Sequence, residues 1–140
     1  MLRRLVLTAV ASAAALSAVP ATAHATAPVP TPVDRLTVTV TDSGGAGDGT
    51  YVLKCHPTGG THPQAAEACE RLHEVTRWGK DPFAPVPRDA MCTMQYGGPA
   101  TAHITGTWQG RPVDATYKRS DGCEISRWNN LVPVLPATSA

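Results

Sequence analysis

Large apolar side chains are scarce in this chain, whose 140 residues include one phenylalanine, three tyrosines and three tryptophans. At about 25 cal/mol per Å² of apolar surface removed from water, so few bulky groups stabilise a fold only thinly. An excess of either charge is also missing. Twelve lysines and arginines stand against eleven aspartates and glutamates, which excludes the basic stripe that nucleic-acid or anionic-membrane binding needs. No apolar run reaches the roughly 20 residues that cross a bilayer. The longest, Leu5 to about Val19, ends at Pro20. Catalytic signatures are absent as well: there is no G-x-S-x-G elbow, Gly-rich phosphate loop or H-E-x-x-H pair. His56, His62, His73 and His103 fall in no recognisable constellation and read as scattered surface residues. The sequence therefore predicts neither an enzyme nor a cofactor binder.

What is present begins with an export signal. Arg3 and Arg4 give a basic start, the apolar stretch follows, and Ala21, Ala23 and Ala25 supply small residues. These are the three parts of a secretory signal peptide. Ala23-His24-Ala25 suits cleavage after Ala25, with Ala23 as the alternative, so residues 1–25 are expected to be a removed leader and the protein to be secreted. The remaining 115 residues carry 10 basic and 11 acidic side chains and suffice for one domain.

All four cysteines, Cys55, Cys69, Cys92 and Cys123, lie beyond that leader. An even number in an exported chain reads as two disulfides, with three connectivities open. The two short closures, Cys55 with Cys69 and Cys92 with Cys123, are attractive, and each would remove roughly 3–4 kcal/mol of unfolded-chain entropy. Cys55, His56, His62, Cys69 and His73 are also close enough in sequence to suggest zinc, since Cys69 and His73 are spaced i, i+4 on a helix pattern. Oxidising surroundings favour pairing of such cysteines, so no metal is expected.

Residues 26–34, with Pro28, Pro30 and Pro32, are expected to be a disordered lead-in. Leu36, Val38 and Val40 alternate with Thr37 and Thr39, which predicts a half-buried strand. Four glycines between Ser43 and Gly49 mark a turn, and Thr50 to Cys55 resumes a strand. Thr61 followed by Gln64 is a capping-box pattern, and Ala65, Ala68, Cys69, Leu72 and Val75 then fall on one helical face. Gly79 ends the helix, and the proline-rich Gly79 to Pro87 excludes regular structure. Thr101 to Trp108 alternates again, Gln109-Gly110 turns the chain, and Val113 to Tyr117 returns. Glu124 to Asn130 is compatible with a short helix. These elements make a small α+β domain over residues 35–132, followed by a tail at 133–140.

Between Arg88 and Pro99, one cysteine sits among Met91, Met94 and Tyr96, with Gly97-Gly98-Pro99 after them. Apolar side chains presented on a disulfide-clamped loop would form a binding surface. The order and spacing of several pieces resemble the Streptomyces subtilisin inhibitor family from about Leu36 to Leu131. The pieces are Gly60-Thr61-His62-Pro63 after Cys55, Cys69, Met91 to Tyr96 (MCTMQY), Gly106 to Gly110 (GTWQG) and Gly122 to Trp128 (GCEISRW).

That resemblance implies a five-stranded antiparallel sheet with two helices and a homodimer formed through the sheets. It also implies the pairings Cys55–Cys69 and Cys92–Cys123. The reactive bond would be Met94–Gln95, with Met94 in the primary pocket of a subtilisin-like serine protease. Met91 would fill an apolar pocket upstream, Cys92 and Thr93 would lie between them, and Tyr96 would sit on the leaving-group side. The chain departs from the family pattern at Thr93, often proline, at Gly97-Gly98, and at Asp121, where the prototype has a bracing asparagine. A secreted binding or envelope-associated module without protease inhibition is the alternative reading.

Overall fold

The computed structural model describes residues 9–29 and 33–138. The basic start of the expected leader, part of its proline-rich continuation (30–32) and the last two residues lie outside them. An N-terminal unit extends to Pro30, and a second runs from Thr31 onward. Residues 9–29 have no regular secondary structure, and Val10, Leu16, Val19 and Val29 are exposed. No helix among the described residues is long and apolar enough to cross a membrane.

The second unit holds β1 (Asp34–Thr41), β2 (Gly49–Cys55), β3 (Gly59–Gly60), α1 (Ala65–Val75), β4 (Thr101–Trp108), β5 (Arg111–Tyr117) and α2 (Gly122–Asn130). All strand pairs are antiparallel, in the order β3-β2-β1-β4-β5. The period-2 pattern sets which face is buried. Leu36 and Val38 of β1 lie opposite Leu53 and Tyr51 of β2 on one side and Gly106 and Ile104 of β4 on the other. Leu36, Val38, Val40, Leu53, Ala102, Ile104, Val113, Ala115 and Tyr117 make the core face of the sheet. The opposite face is polar: Thr41 Oγ1 and Thr101 Oγ1 are 2.7 Å apart, and His103 Nε2 lies 2.6 Å from Asp114 Oδ1.

Helix α1 buries Ala68, Cys69 and Leu72, the stripe expected from its spacing. The predicted capping box does not form. The helix starts at Ala65, and Gln64 caps it without a side-chain bond. Thr61 Oγ1 instead accepts from the Val52 amide at 2.8 Å, since the short β3 pairing carries Thr61 onto the sheet edge. His62 is buried: its Nδ1 accepts from the Gln64 amide (3.1 Å), so its Nε2–H donates to the Val134 carbonyl (2.9 Å).

The outer bounds of the domain also differ from expectation. Asp34, placed with the disordered lead-in, is a buried strand residue whose Oδ1 accepts from the Gln109 amide at 2.7 Å. Residues 133–138, set apart as a tail, belong to the domain. Val134 and Leu135 are fully buried, and Trp128 Nε1 donates to the Pro136 carbonyl at 2.9 Å. Pro133 and Pro136 forbid a regular element there, but the apolar side chains between them still find the core.

Candidate functional site

The irregular stretch between α1 and β4 is tied down along its length by side chains from the second half of the domain. Tyr117 is buried and donates its hydroxyl to the Pro82 carbonyl at 2.8 Å. Burial pushes its phenol well above the ordinary range. Arg127 of α2 lies 3.9 Å over the Tyr117 ring. Its guanidinium donates to the carbonyls of Ala84 (2.7 Å), Phe83 (3.1 Å) and Thr116 (2.6 Å). One cation thus satisfies two carbonyls that the proline-rich segment cannot pair in a ladder and ties them to the Thr116 carbonyl of β5.

Beyond this anchored segment the chain runs out as a loop. Met91 is 98% and Met94 95% exposed, and Tyr96 is exposed as well. Three large apolar side chains exposed within six residues form the kind of contiguous patch that marks an interaction surface. The loop's ends are nonetheless fixed. Cys92 is bonded to Cys123 at the start of α2, and Cys55 to Cys69 elsewhere in the domain. The Gly122 amide donates to the Thr93 carbonyl at 3.1 Å. The Gly97 amide donates to the Arg119 carbonyl at 2.7 Å, and Arg119 Nε returns a bond to the Gly97 carbonyl at 3.0 Å. Between these grips stand Met94, Gln95 and Tyr96.

Two glycines make the close approach feasible. A Cβ on Gly122 would lie 2.0 Å from Thr93 Oγ1, and one on Gly97 would lie 2.7 Å from Ile125 Cγ1. Arg119 is 3% exposed, donates also to Asn129 Oδ1 at 2.9 Å, and lies 5.8 Å from the Trp128 ring centroid. It therefore ties the far end of the loop to both the backbone and the body of α2. Sequence reasoning did not single out Arg119; nothing in its local pattern distinguishes it from a solvated surface arginine. Asp121 does not brace the loop by donation. Its Oδ1 caps α2, accepting from the Glu124 amide at 2.9 Å.

Thus Met91, Cys92, Thr93, Met94, Gln95 and Tyr96 all lie on one exposed segment whose supports are peptide groups, a disulfide and one buried arginine. The arrangement holds no base or nucleophile poised for catalysis. It can present a short extended peptide at little further ordering cost.

The family profile described as "Subtilisin inhibitor-like" matches residues 30–120. The chain is 38% identical over 80 residues to subtilisin inhibitor-like protein 1 of Streptomyces cacaoi, covering 54% of this chain and 68% of that one. It is 34% identical over 91 residues to protease inhibitor SIL-V2 of Streptomyces orinoci, covering 63% and 81%. Among solved structures it is similar to Streptomyces caespitosus sermetstatin, crystallised in complex with Bacillus licheniformis subtilisin. That match has 24% identity and a TM-score of 0.43, and covers 71% of this chain and 96% of that chain.

Proposed function

The chain belongs to the subtilisin inhibitor-like family, and from that premise we propose that it is a secreted, substrate-like inhibitor of subtilisin-type serine endopeptidases with Met94–Gln95 as its reactive bond. One observation carries the assignment of the loop: Met91 and Met94 stand almost wholly in solvent while the chain between Cys92 and Gly97 is gripped at both ends. A flexible substrate loses backbone freedom of about 1–2 kcal/mol per residue on binding. A loop held extended beforehand loses far less, so the complex is tight. The protease contributes the serine, histidine and oxyanion hole. The inhibitor contributes shape and an unreleased second product: after cleavage, Cys92–Cys123 and the Gly97–Arg119 pair keep both new ends in place, and religation competes with escape.

Met94 fills the primary pocket, Met91 an apolar pocket upstream, and Tyr96 the leaving-group side. An unbranched thioether fits broad apolar pockets and lacks the charge a trypsin pocket requires. Residues 1–25 serve as the removed export signal. Two copies pair through the polar outer face of the sheet, where Thr41, Thr101, His103 and Asp114 are exposed, and sedimentation should then return twice the chain mass.

Titration of a fixed amount of subtilisin with the purified protein tests the assignment. Residual activity on a small chromogenic peptide should fall linearly to zero near one loop per enzyme, and any nicked product should be cut at Met94–Gln95. Undiminished activity, with the protein digested alongside, would leave only a secreted disulfide-bonded module.

A further inference from the structure

Five residues have the spacing of a zinc site in the sequence, and the fold separates them. Cys55 and Cys69 are bonded to each other, and His62 is buried with both nitrogens engaged. His56 and His73 remain, and they meet: their Nε2 atoms are 3.1 Å apart and their ring centroids 4.7 Å apart. The disulfide brings them together. His56 directly follows Cys55, His73 lies one helical turn beyond Cys69, and the two cysteine Cα atoms are 5.7 Å apart. The His73 ring also leans on the buried Trp108 ring, with centroids 5.0 Å apart.

The second nitrogen of His56 fixes its tautomer. Nδ1 lies 3.3 Å from Asp34 Oδ2, and an ionised carboxylate only accepts. Nδ1 therefore carries the hydrogen, and the Nε2 lone pair accepts from His73 Nε2–H at 3.1 Å; a metal would replace that hydrogen, the His73 proton moving to its Nδ1 or to water. A carboxylate behind an imidazole is the usual outer support of a metal-bound histidine. Asp34 is itself held, through its other oxygen, by the Gln109 amide.

We propose that His56 and His73 are the two protein ligands of a surface site for a divalent transition-metal ion of the zinc, nickel and copper class. A metal at about 2.05 Å from each nitrogen would see them at an angle of about 98° at the present separation, between octahedral and tetrahedral values. Imidazole pairs suit these metals and not calcium or magnesium. Glu70, Glu74 and Arg77 border the same hollow, and Glu74 is paired with Arg71 at 2.8 Å, so the surroundings are close to neutral and the two imidazoles carry the site. Water would complete the shell, since among the described residues no third ligand atom clusters with the two histidine nitrogens. The one cluster of three candidate ligand atoms among the described residues is Cys92, Asp121 and Cys123, whose sulfurs are joined to each other and so are not free to bind a metal. Residues 91–96 take no part in the histidine site, so it stands or falls separately from protease inhibition.

Calorimetric titration of the untagged chain with zinc chloride tests it. One equivalent should bind in the micromolar range. His56→Ala and His73→Ala should each weaken binding at least tenfold, Asp34→Asn about tenfold, and His103→Ala should change nothing. In the unsubstituted protein, whose folding is not in question, zinc should shift the ring ¹⁵N resonances of His56 and His73 together and leave those of His62 in place. No binding below millimolar zinc, affinity that survives either alanine substitution, or shifts confined to other histidines would overturn the proposal.

Discussion

Replacing Arg119 by methionine isolates the part of loop rigidity that one guanidinium supplies. The side chain makes two charged hydrogen bonds, to the Gly97 carbonyl at 3.0 Å and to Asn129 Oδ1 at 2.9 Å, in a site where it is 3% exposed. Hydrogen bonds from a charged donor contribute about 1.5–3 kcal/mol each and are not additive within one network. Methionine refills much of the volume and keeps contact with Trp128, so a net loss of about 2–4 kcal/mol is expected. For a domain of about a hundred residues that lowers Tm by roughly 10–20 °C.

The effect on inhibition is separable. The Gly97 amide still bonds the Arg119 carbonyl, so about one residue of the loop regains freedom. That returns about 1–2 kcal/mol to the ordering cost of binding and raises the inhibition constant about 5- to 30-fold. The assay pairs a thermal melt with subtilisin titration well below the lowered Tm, and follows the rate of hydrolysis after Met94. Arg119→Lys keeps the charge but not the fork, and should recover only part of the loss. A lowered Tm with wild-type inhibition and wild-type hydrolysis would refute the claim that Arg119 stiffens the loop.

Met94→Lys should move inhibition toward trypsin while leaving urea stability within about 0.5 kcal/mol, as for any exposed site; unchanged trypsin affinity would count against Met94 as the specificity residue. The double variant Cys92→Ala, Cys123→Ala opens a closure of 31 residues, worth about 3.7 kcal/mol in the chain-entropy relation. It should turn the loop into an ordinary substrate, seen as rapid digestion by subtilisin in a gel time course. Gly122→Ala should raise the inhibition constant about tenfold by forcing Thr93 aside, and adding Thr93→Ala should restore part of it; additive losses in that cycle would show that the two residues do not couple. Tyr117 has its phenol pKa raised by burial. Its contribution to stability is therefore complete below the unfolded value of about 10 and is lost as pH rises from there toward the folded value. Urea midpoints measured at pH 8 and pH 11 should fall more for the wild type than for Tyr117→Phe, and equal falls would rule out this linkage.

The elements whose residues repeat with a period are legible in the sequence alone. Leu36, Val38 and Val40, the run Thr101 to Trp108 and the stripe Ala68, Cys69, Leu72 declare their buried faces, because burial and periodicity are the same constraint. Strand β3 leaves no such mark: two glycines have no side chains to alternate. The capping box misleads because Thr61 has a nearer use, the Val52 amide on the sheet edge. Residues 133–138 read as a tail because prolines break elements without preventing burial. Met91, Met94 and Tyr96 are legible from composition, as apolar side chains crowded about a cysteine between a proline-rich stretch and Gly97-Gly98-Pro99. Arg119 is not, and although His56 and His73 stand out as candidate ligands, their selection from the group of five is not legible either, since each depends on contacts that exist only after strands and disulfides have brought distant segments together.

The frame holds the loop by its peptide groups. Beside the Cys92–Cys123 bond, the carbonyl of Thr93 and both backbone polar groups of Gly97 are what Gly122 and Arg119 grip, and none of these bonds involves a side chain of residues 91 or 94–96. The side chains of Met91, Met94, Gln95 and Tyr96 are consequently free of structural duty. A lineage pressed by a changing set of proteases could alter these positions one at a time, each change testing a new target while the fold stays silent. Diversity among such inhibitors should then concentrate in a few adjacent letters, and a library randomised there should contain mostly folded molecules.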